Sequence, residues 1–547
     1  MNLIRCSSVL LCALVAVGSL PAQSSESYRG MLTARVRADK LPPPQHLQDY
    51  VKDGKLTLGL RDAILLTLEN NSNVQIEETQ IEAQKFTLLG QFSIFDPSLQ
   101  SSLTVSRYSS PTYSQLQGVG VTGNATLNSL SQTGQVTYTQ TFTIGTNFTA
   151  NLSSNRSSTN SSYNYFNPYV SSTLNFTFTQ PLLRGAGRFA NTALIKIARR
   201  TLEESRATFE AEVNDAVLQV INQYWLAVQA RGALEVQQKS LKLAEASYER
   251  DKRSLELGAL PPLDIYRSQS EVAARNVGLI QAEYALTQTE EALRLTIGAD
   301  RDPQMQMLPL ALTEKPDPVR ELENIDENIA LTQALSRRPE LEAAKDSLVN
   351  DETSIRLAHN QLEPNLQLQG FYQSSGLGGN QYNITTGQLV APGGFGSSMN
   401  QLFGFGYPGY GATLSLTLPV RNRAGQAALG NALVSRTRDL RNGGQVREQI
   451  TREVRDAMHQ LEEARAALAA GAASYDLAQK TLTSEQRKFE LGAETNFFVL
   501  DAQTRLAQAE LTLLQTQITY RMALAAVGHS TAELLSHYQL QIADLSH

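Results

Sequence analysis

The chain has 547 residues, 41% of them hydrophobic and 18% charged, and its mean hydropathy is −0.26. Repeated apolar runs of about 20 residues, which a bundle of membrane-spanning helices requires, do not occur. A net charge of −6 without a dominant basic stripe argues against nucleic acid as the main partner, and six histidines and two cysteines leave little material for a metal centre.

In chain order, residues 1–22 come first. Arg5 precedes the apolar stretch from Val9 to Val17, and the small residues Gly18, Ser19 and Ala22 follow, the pattern of a secretory signal peptide that also contains both cysteines, Cys6 and Cys12. Lipid attachment at Cys12 is the alternative, opposed by the bulky Leu11 before it. The exported remainder, beginning with an extension over 23–55, would hold together without disulfides, and any membrane residence would have to use β-strands.

One large internal repeat organises the rest. Glu256-Leu257-Gly258-Ala259 recurs as Glu490-Leu491-Gly492-Ala493, an offset of 234. Before the first glycine, Val213, Val220, Ala227, Leu234, Leu241, Tyr248 and Leu255 are spaced by seven, and before the second so are Val454, Leu461, Leu468, Tyr475, Leu482 and Phe489. Such seams predict paired helices. Gly187 to Gly258 is 71 residues and Gly425 to Gly492 is 67, neither with an internal proline; at 1.5 Å per residue each rod is about 100 Å long.

At the other ends of the rods the period changes to two. Leu414, Leu416 and Leu418 alternate with Thr413, Ser415 and Thr417, as Leu174, Phe176 and Phe178 do with Asn175, Thr177 and Thr179. Segments of roughly nine residues with one apolar and one Thr/Ser/Asn/Gln face suit a transmembrane β-barrel with a wet lumen. A soluble sandwich shows the same alternation. Export and the aromatic residues at strand ends, such as Tyr108, Tyr163, Tyr169 and Tyr410, favour the barrel.

Asp96-Pro97 matches Glu363-Pro364 at offset 267, whereas Pro181 matches Pro419 at offset 238, so repeat one is 29 residues longer between its prolines. That surplus fits one hairpin, with Val136, Tyr138, Gln140 and Phe142 on one arm, Phe148, Ala150 and Leu152 on the other, and a turn at Ile144 to Asn147.

The expected domains are then repeat one over 56–298 (helix 57–95, strands within 97–181, long helix 187–257, tip 258–262, helix 263–297), a proline-rich linker over 299–327, repeat two over 328–532 (helix 328–362, strands within 364–419, long helix 425–491, tip 492–496, helix 497–532) and a tail over 533–547.

These features resemble the TolC-like outer-membrane efflux channels. The resemblance rests on Leu56-Thr57-Leu58 with Ala63 and the Glu69-Asn70-Asn71 break, on Thr179-Gln180-Pro181-Leu182-Leu183 at the strand-to-helix junction, and on the duplicated glycine tips. It implies an all-α plus transmembrane-β fold: a duplicated protomer whose coiled-coil helices build a periplasmic α-barrel and whose strands join a β-barrel shared by a homotrimer. It also implies a passive exit duct in the outer membrane for an inner-membrane transporter and a periplasmic adaptor, exporting small molecules, with type I protein secretion as the alternative use. Twelve strands result if the surplus hairpin lies outside the wall and eighteen if it belongs to it.

The same resemblance assigns adaptor contact to Leu257, Gly258, Ala259, Leu491, Gly492 and Ala493. It places the pore constriction six and nine residues after the second glycine, at Phe498 and Asp501. Phe498 departs from the family's acid and Asp501 keeps it. Three copies of Asp501 around an axis would repel one another and attract cations; the alternative is an ordinary polar helix residue. Asp264 is the corresponding acid of the first tip, and Glu494 stands where relatives carry a base, so an opposite-charge latch is doubtful and Phe498 rings gating by dewetting are the alternative. Arg184, Arg188, Arg421 and Arg423 at the junctions either meet anionic lipid headgroups or begin solvated helices.

No cofactor is implied and no nucleic acid. An enzyme finds no support, because no phosphate loop, HExxH pair or histidine beside a nucleophile occurs. An exported coiled-coil adhesin or scaffold with a soluble β head is the remaining rival.

Overall fold

The computed structural model describes residues 46–114, 117–119, 126–257, 264–315 and 325–539. The expected signal peptide, residues 23–45 of the extension over 23–55 and the first tip, 258–262, lie outside the described residues.

Lys55–Leu58 forms a short strand, β2, rather than the start of a helix. It pairs antiparallel with β1 (Val51–Lys52) and parallel with β7 (Leu310–Leu312), 254 residues away at Leu56↔Leu310. The helix expected over 57–95 is therefore shorter and also divided, into α1 (Leu60–Asn70) and α2 (Ser72–Gln91). Asn71 makes the break. Its backbone is extended and its side-chain oxygen accepts from Asn73 N at 2.9 Å, capping α2. In the second repeat the helix expected over 328–362 is likewise two, α6 (Glu327–Arg337) and α7 (Pro339–Leu362), because Pro339 forces Arg338 into an extended conformation. Asn71 and Arg338 are 267 apart, the offset already seen between the prolines that follow these helices.

The rods are α3 (Gly187–Glu256, 70 residues) and α9 (Arg423–Glu490, 68 residues), returned by α4 (Asp264–Thr296) and α10 (Asn496–Ser530). α10 also packs against α3, so the hairpin of repeat two lies on the rod of repeat one. At mid-length α3 meets the three-stranded sheet in the largest core, where Leu56, Leu58, Ile64, Val220, Ile221 and Tyr224 are buried. Tyr224 O–H donates to Leu58 O at 3.2 Å and accepts from Glu314 N at 3.3 Å, so its polar end is satisfied. The segment expected as a linker over 299–327 thus carries structure, α5 (Pro303–Gln306) and β7, and its described part closes this belt.

At the end of the rods lies a sheet of long antiparallel strands: β3 (Ser98–Pro111), β4 (Thr126–Thr141), β5 (Asn147–Thr159), β6 (Phe166–Pro181), β8 (Asn365–Tyr382) and β10 (Pro408–Thr417), in the order β10-β8-β6-β5-β4-β3, with the short β9 (Leu389–Ala391) beside β8. The strands run 10 to 18 residues, longer than the nine or so that the strongest alternation suggests, because Ser, Asn and Gly carry the ladder onward. The surplus hairpin is β4–β5 and lies within the sheet. Its turn is tied to the junction below, where Gly187 N donates to Ile144 O at 3.2 Å.

Register places Leu99, Tyr138, Phe148, Phe178, Leu368 and Leu414 on one face. Phe148 meets Phe178 at 4.7 Å and Phe176 at 6.3 Å between ring centroids. The other face carries Thr, Ser, Asn and Gln. Among the described residues β3 and β10 each have a neighbour on one side only.

The span expected as strands over 364–419 also contains a helix, α8 (Phe395–Phe403), which packs on the apolar face. There Ser398 Oγ donates to Ser172 Oγ at 2.8 Å, and Ser374 Oγ donates to Leu402 O at 2.7 Å. A side chain at Gly376 would overlap the Ser398 carbonyl and one at Gly378 the Gly394 carbonyl, so both glycines are required by this approach.

Between α7 and α9, Asp351 is buried at 8% exposure beside Asp439, whose carboxylate is held by Arg438 Nε at 2.9 Å. Burial first, then the charge of Asp439, pushes the Asp351 carboxyl above its usual value of 3.8. An acid raised in the folded state contributes stability below that usual value and loses it as pH climbs through the raised one. Asp351→Asn is expected to melt higher than the wild type at pH 7, with the gap closing toward pH 4, about the ordinary carboxylate range, as followed by thermal denaturation in detergent.

Candidate functional site: the helical tips

The second tip shows why its sequence is Glu-Leu-Gly-Ala. α9 ends at Glu490, and Gly492 takes φ +68°, the left-handed conformation that closes a helix. Gly492 N then donates to Phe489 O at 3.0 Å and Ala493 N to Lys488 O at 2.9 Å. Leu491 is left 85% exposed at the very end of the rod, and Leu257, the last described residue of the first tip, is 84% exposed. Gly258, Ala259 and the side chain of Asp264 lie outside the described residues.

Phe498 sits in the first turn of α10, 46% exposed, with its ring edge against Phe497 at 5.3 Å. Phe497 in turn lies under Arg267 of α4, 5.2 Å from the guanidinium carbon. Asp501, one turn further on, forms an ion pair with Arg505 Nε at 2.8 Å on its own helix. Glu494 faces Lys488 at 3.6 Å, and Lys488 also bonds Glu485 at 2.8 Å. Asp501 and Glu494 therefore each have a basic neighbour within their own chain.

The polar group that joins the two tips is one that periodicity and resemblance do not single out. Asp251, near the end of α3 and only 6% exposed, accepts a hydrogen bond from Ser268 Oγ on α4. It also accepts from Asn496 Nδ2, the first residue of α10, at 2.9 and 3.0 Å. One carboxylate thus holds the last turn of the first rod, its return helix and the return helix of the other repeat. Two turns along, Arg275 of α4 bonds Thr504 of α10 while pairing with Glu271 at 2.6 Å, and Lys239 of α3 faces Glu510 at 3.6 Å. A signal for Asp251 does exist: Ala244, Ser247 and Asp251 lie on the seam side of α3, and a buried acid in a helix seam demands a partner.

Long paired rods tied near their ends by the buried Asp251, standing below an amphipathic antiparallel sheet, are the architecture of an outer-membrane channel with a helical duct attached. The chain belongs to the outer membrane efflux protein family, whose model matches residues 146–299 and 330–532. Among solved structures it is similar to a membrane protein from Pseudomonas aeruginosa (18% identity, TM-score 0.62, 90% of this chain and 99% of that one). It is also similar to the Campylobacter jejuni CmeC outer membrane channel (13%, 0.60, 92% and 94%) and to the open state of the Neisseria gonorrhoeae MtrE outer membrane channel (17%, 0.59, 91% and 98%). No curated protein sequence matches it. The chain is therefore an efflux channel of the outer membrane with a long periplasmic helical part, not an enzyme, and the adhesin or scaffold reading falls. Among the described residues no helix is long and apolar enough to cross a membrane.

Removing the shared carboxylate should loosen the joint between the tips. Asp251→Ala is expected to weaken it by about 1–3 kcal/mol, the usual effect of stranding buried hydrogen-bond partners. Amide exchange over residues 496–505 should then accelerate roughly 5- to 100-fold, following from RT at 25 °C, while exchange in the belt around Tyr224 stays unchanged.

Proposed function

We propose that three copies of this chain form one continuous exit duct. Their sheets close edge to edge into a single wall, their rods form the periplasmic tube, and the tips receive a periplasmic adaptor that links the duct to an inner-membrane transporter. The observation that carries this reading is the sheet: one apolar face, one hydroxyl and amide face, and two open edges, β3 and β10. Six long strands from each of three chains give an eighteen-stranded barrel, because β4–β5 belongs to the ladder. Barrels of that size leave an aqueous channel.

The adaptor would bind at the tips, where Leu257 and Leu491 present matching exposed apolar side chains at equivalent ends of the two rods. Gly492 and Ala493, and in the sequence Gly258 and Ala259, would let a partner helix come close. The constriction would be formed by Phe498 rather than by charge, since Asp501 is compensated by Arg505 and Glu494 by Lys488. Asp264 would stand at the equivalent place in the first tip. A lumen of hydroxyls and amides excludes little by charge, which suits a passive duct whose transporter chooses small-molecule cargo.

Single-particle imaging in detergent should show threefold tubes more than about 100 Å long with a detergent belt at one end and eighteen strands in the wall. Belt-free rods or filaments would refute the reading. In planar bilayers Phe498→Asp is expected to raise single-channel conductance several-fold and make the pore cation-preferring, while Asp501→Asn changes it less than about twofold, in line with the weakness of exposed, paired charges. The reverse ranking would assign the constriction to the acid.

A further inference from the structure

The strand-bearing segments are almost free of charge. From Ser98 to Pro181 and from Asn365 to Thr417 the sequence contains no Asp, Glu, Lys or His, and two arginines, Arg107 and Arg156. Their placement is specific. Arg107 lies in β3 opposite Leu130, and Arg156 in β5 opposite Gln132, which in β4 is two residues from Leu130 and shares its face. Following the ladder, Arg156 pairs with Val170, two steps along β6 from Leu174, and Val170 pairs with Gly378 in β8. Both arginines therefore belong to the apolar, lipid-facing side of the sheet, not to the lumen.

Their height is equally defined. Arg107 is eight residues beyond Leu99 and Arg156 eight beyond Phe148, both of which mark the end of the sheet next to the helices. At about 3.3 Å per residue and a strand tilt near 40° the arginines lie roughly 20 Å further out, close to the full height of the apolar band of such walls. They stand at the outer-leaflet rim. α8 lies at the same level, over Gly376 and Gly378, with Phe395 and Phe403 44% and 57% exposed. A rim of aromatic and basic groups is what an interface between acyl chains and charged headgroups favours.

An arginine at this face is disfavoured at the hydrocarbon midplane and tolerated near the boundary. Arg107 is exposed and has no hydrogen bond or ion pair among the described residues, while Arg156 gives one hydrogen bond, to Gln132 Oε1 at 3.0 Å. Two strand spacings and two residues of rise separate them, about 10 Å across and 7 Å along, within joint reach of two long side chains. Guanidinium groups bind phosphate with two parallel hydrogen bonds.

We propose that Arg107 and Arg156 form a docking site for the phosphate groups of a phosphorylated glycolipid in the outer leaflet, one per chain, with its acyl chains on the adjoining apolar strands. The site rests on the membrane placement of the sheet and lies at the opposite edge of the wall from the arginines of the helix junctions.

The test is native mass spectrometry of the detergent-extracted protein, mixed with either a purified bisphosphorylated lipid A-type glycolipid or the same lipid without its phosphates. The wild type is expected to retain the phosphorylated form about 30-fold better, as two basic contacts at a membrane surface imply, counted per chain. The pair Arg107→Gln and Arg156→Gln should bring its retention down to that of the phosphate-free lipid. Equal retention of both lipids by the wild type overturns the site and needs no variant to fold; unchanged retention in the double variant does the same. Failure here with intact threefold channels refutes the lipid site alone, whereas the absence of such channels refutes the duct.

Discussion

Everything above the rods depends on two rows of backbone N–H and C=O groups, those along the outer edges of β3 and β10. In hydrocarbon no water is present to satisfy them, so a membrane sheet must have its edges paired. Six strands from one chain leave two such edges, and in the duct proposed above β3 of one copy would meet β10 of the next. The apolar face then has to point outward and the hydroxyl face inward. That requirement is consistent with α8: the sheet is Ser- and Gly-rich on its outward face at Ser172, Ser374, Gly376 and Gly378, and the helix covers these polar groups, presenting phenylalanines in their place.

The helical part obeys a different constraint. Rods about 100 Å long have little to fix their relative height, since a heptad seam tolerates sliding by whole repeats. The belt sets that height. Tyr224, from the middle of α3, is bonded to both Leu58 and Glu314, so the strand that opens repeat one and the segment that follows the repeat clasp the rod at one level. Near the far end Asp251 performs a similar task, binding residues of α4 and α10 together. Between these two anchors the buried side chains of α3 include Ala227, Val228, Val236 and Ala244, and Arg231 pairs with Glu290 and Lys239 with Glu510 across to the return helices.

Much of this organisation is legible in the sequence because it is periodic or duplicated. Seven-residue seams yield the rods, and the unequal offsets of 267 and 238 by themselves expose the surplus hairpin. The same offset carries the break at Asn71 onto Arg338, a step that Pro339 could have prompted. What escapes has no local signature. Leu56–Leu58 is a strand because Leu310–Leu312 lies beside it in space, and so short a stretch, with only two leucines, before a helical pattern reads as helix. α8 is nine residues among glycines and phenylalanines, held by contacts with β6 and β8 rather than by its own propensity. At the tips Phe498 and Asp501 are legible only through family resemblance, and the ion pair with Arg505 alters what the acid can do. Asp251 is visible as a charge in a seam, but its partner Asn496 lies in the other repeat, 245 residues away.

The most direct measurement is disulfide cross-linking between the open edges. Cysteines scanned over the lumen-facing positions Ser102 and Thr104 of β3, combined with Thr413 or Ser415 of β10 in the same chain, test closure by neighbouring copies. At least one combination should convert the membrane-extracted protein to a covalent trimer on a denaturing gel under mild oxidation, reversed by reductant. If every combination stays monomeric while the protein remains folded and membrane-inserted, the edges do not meet between chains and the shared barrel is wrong.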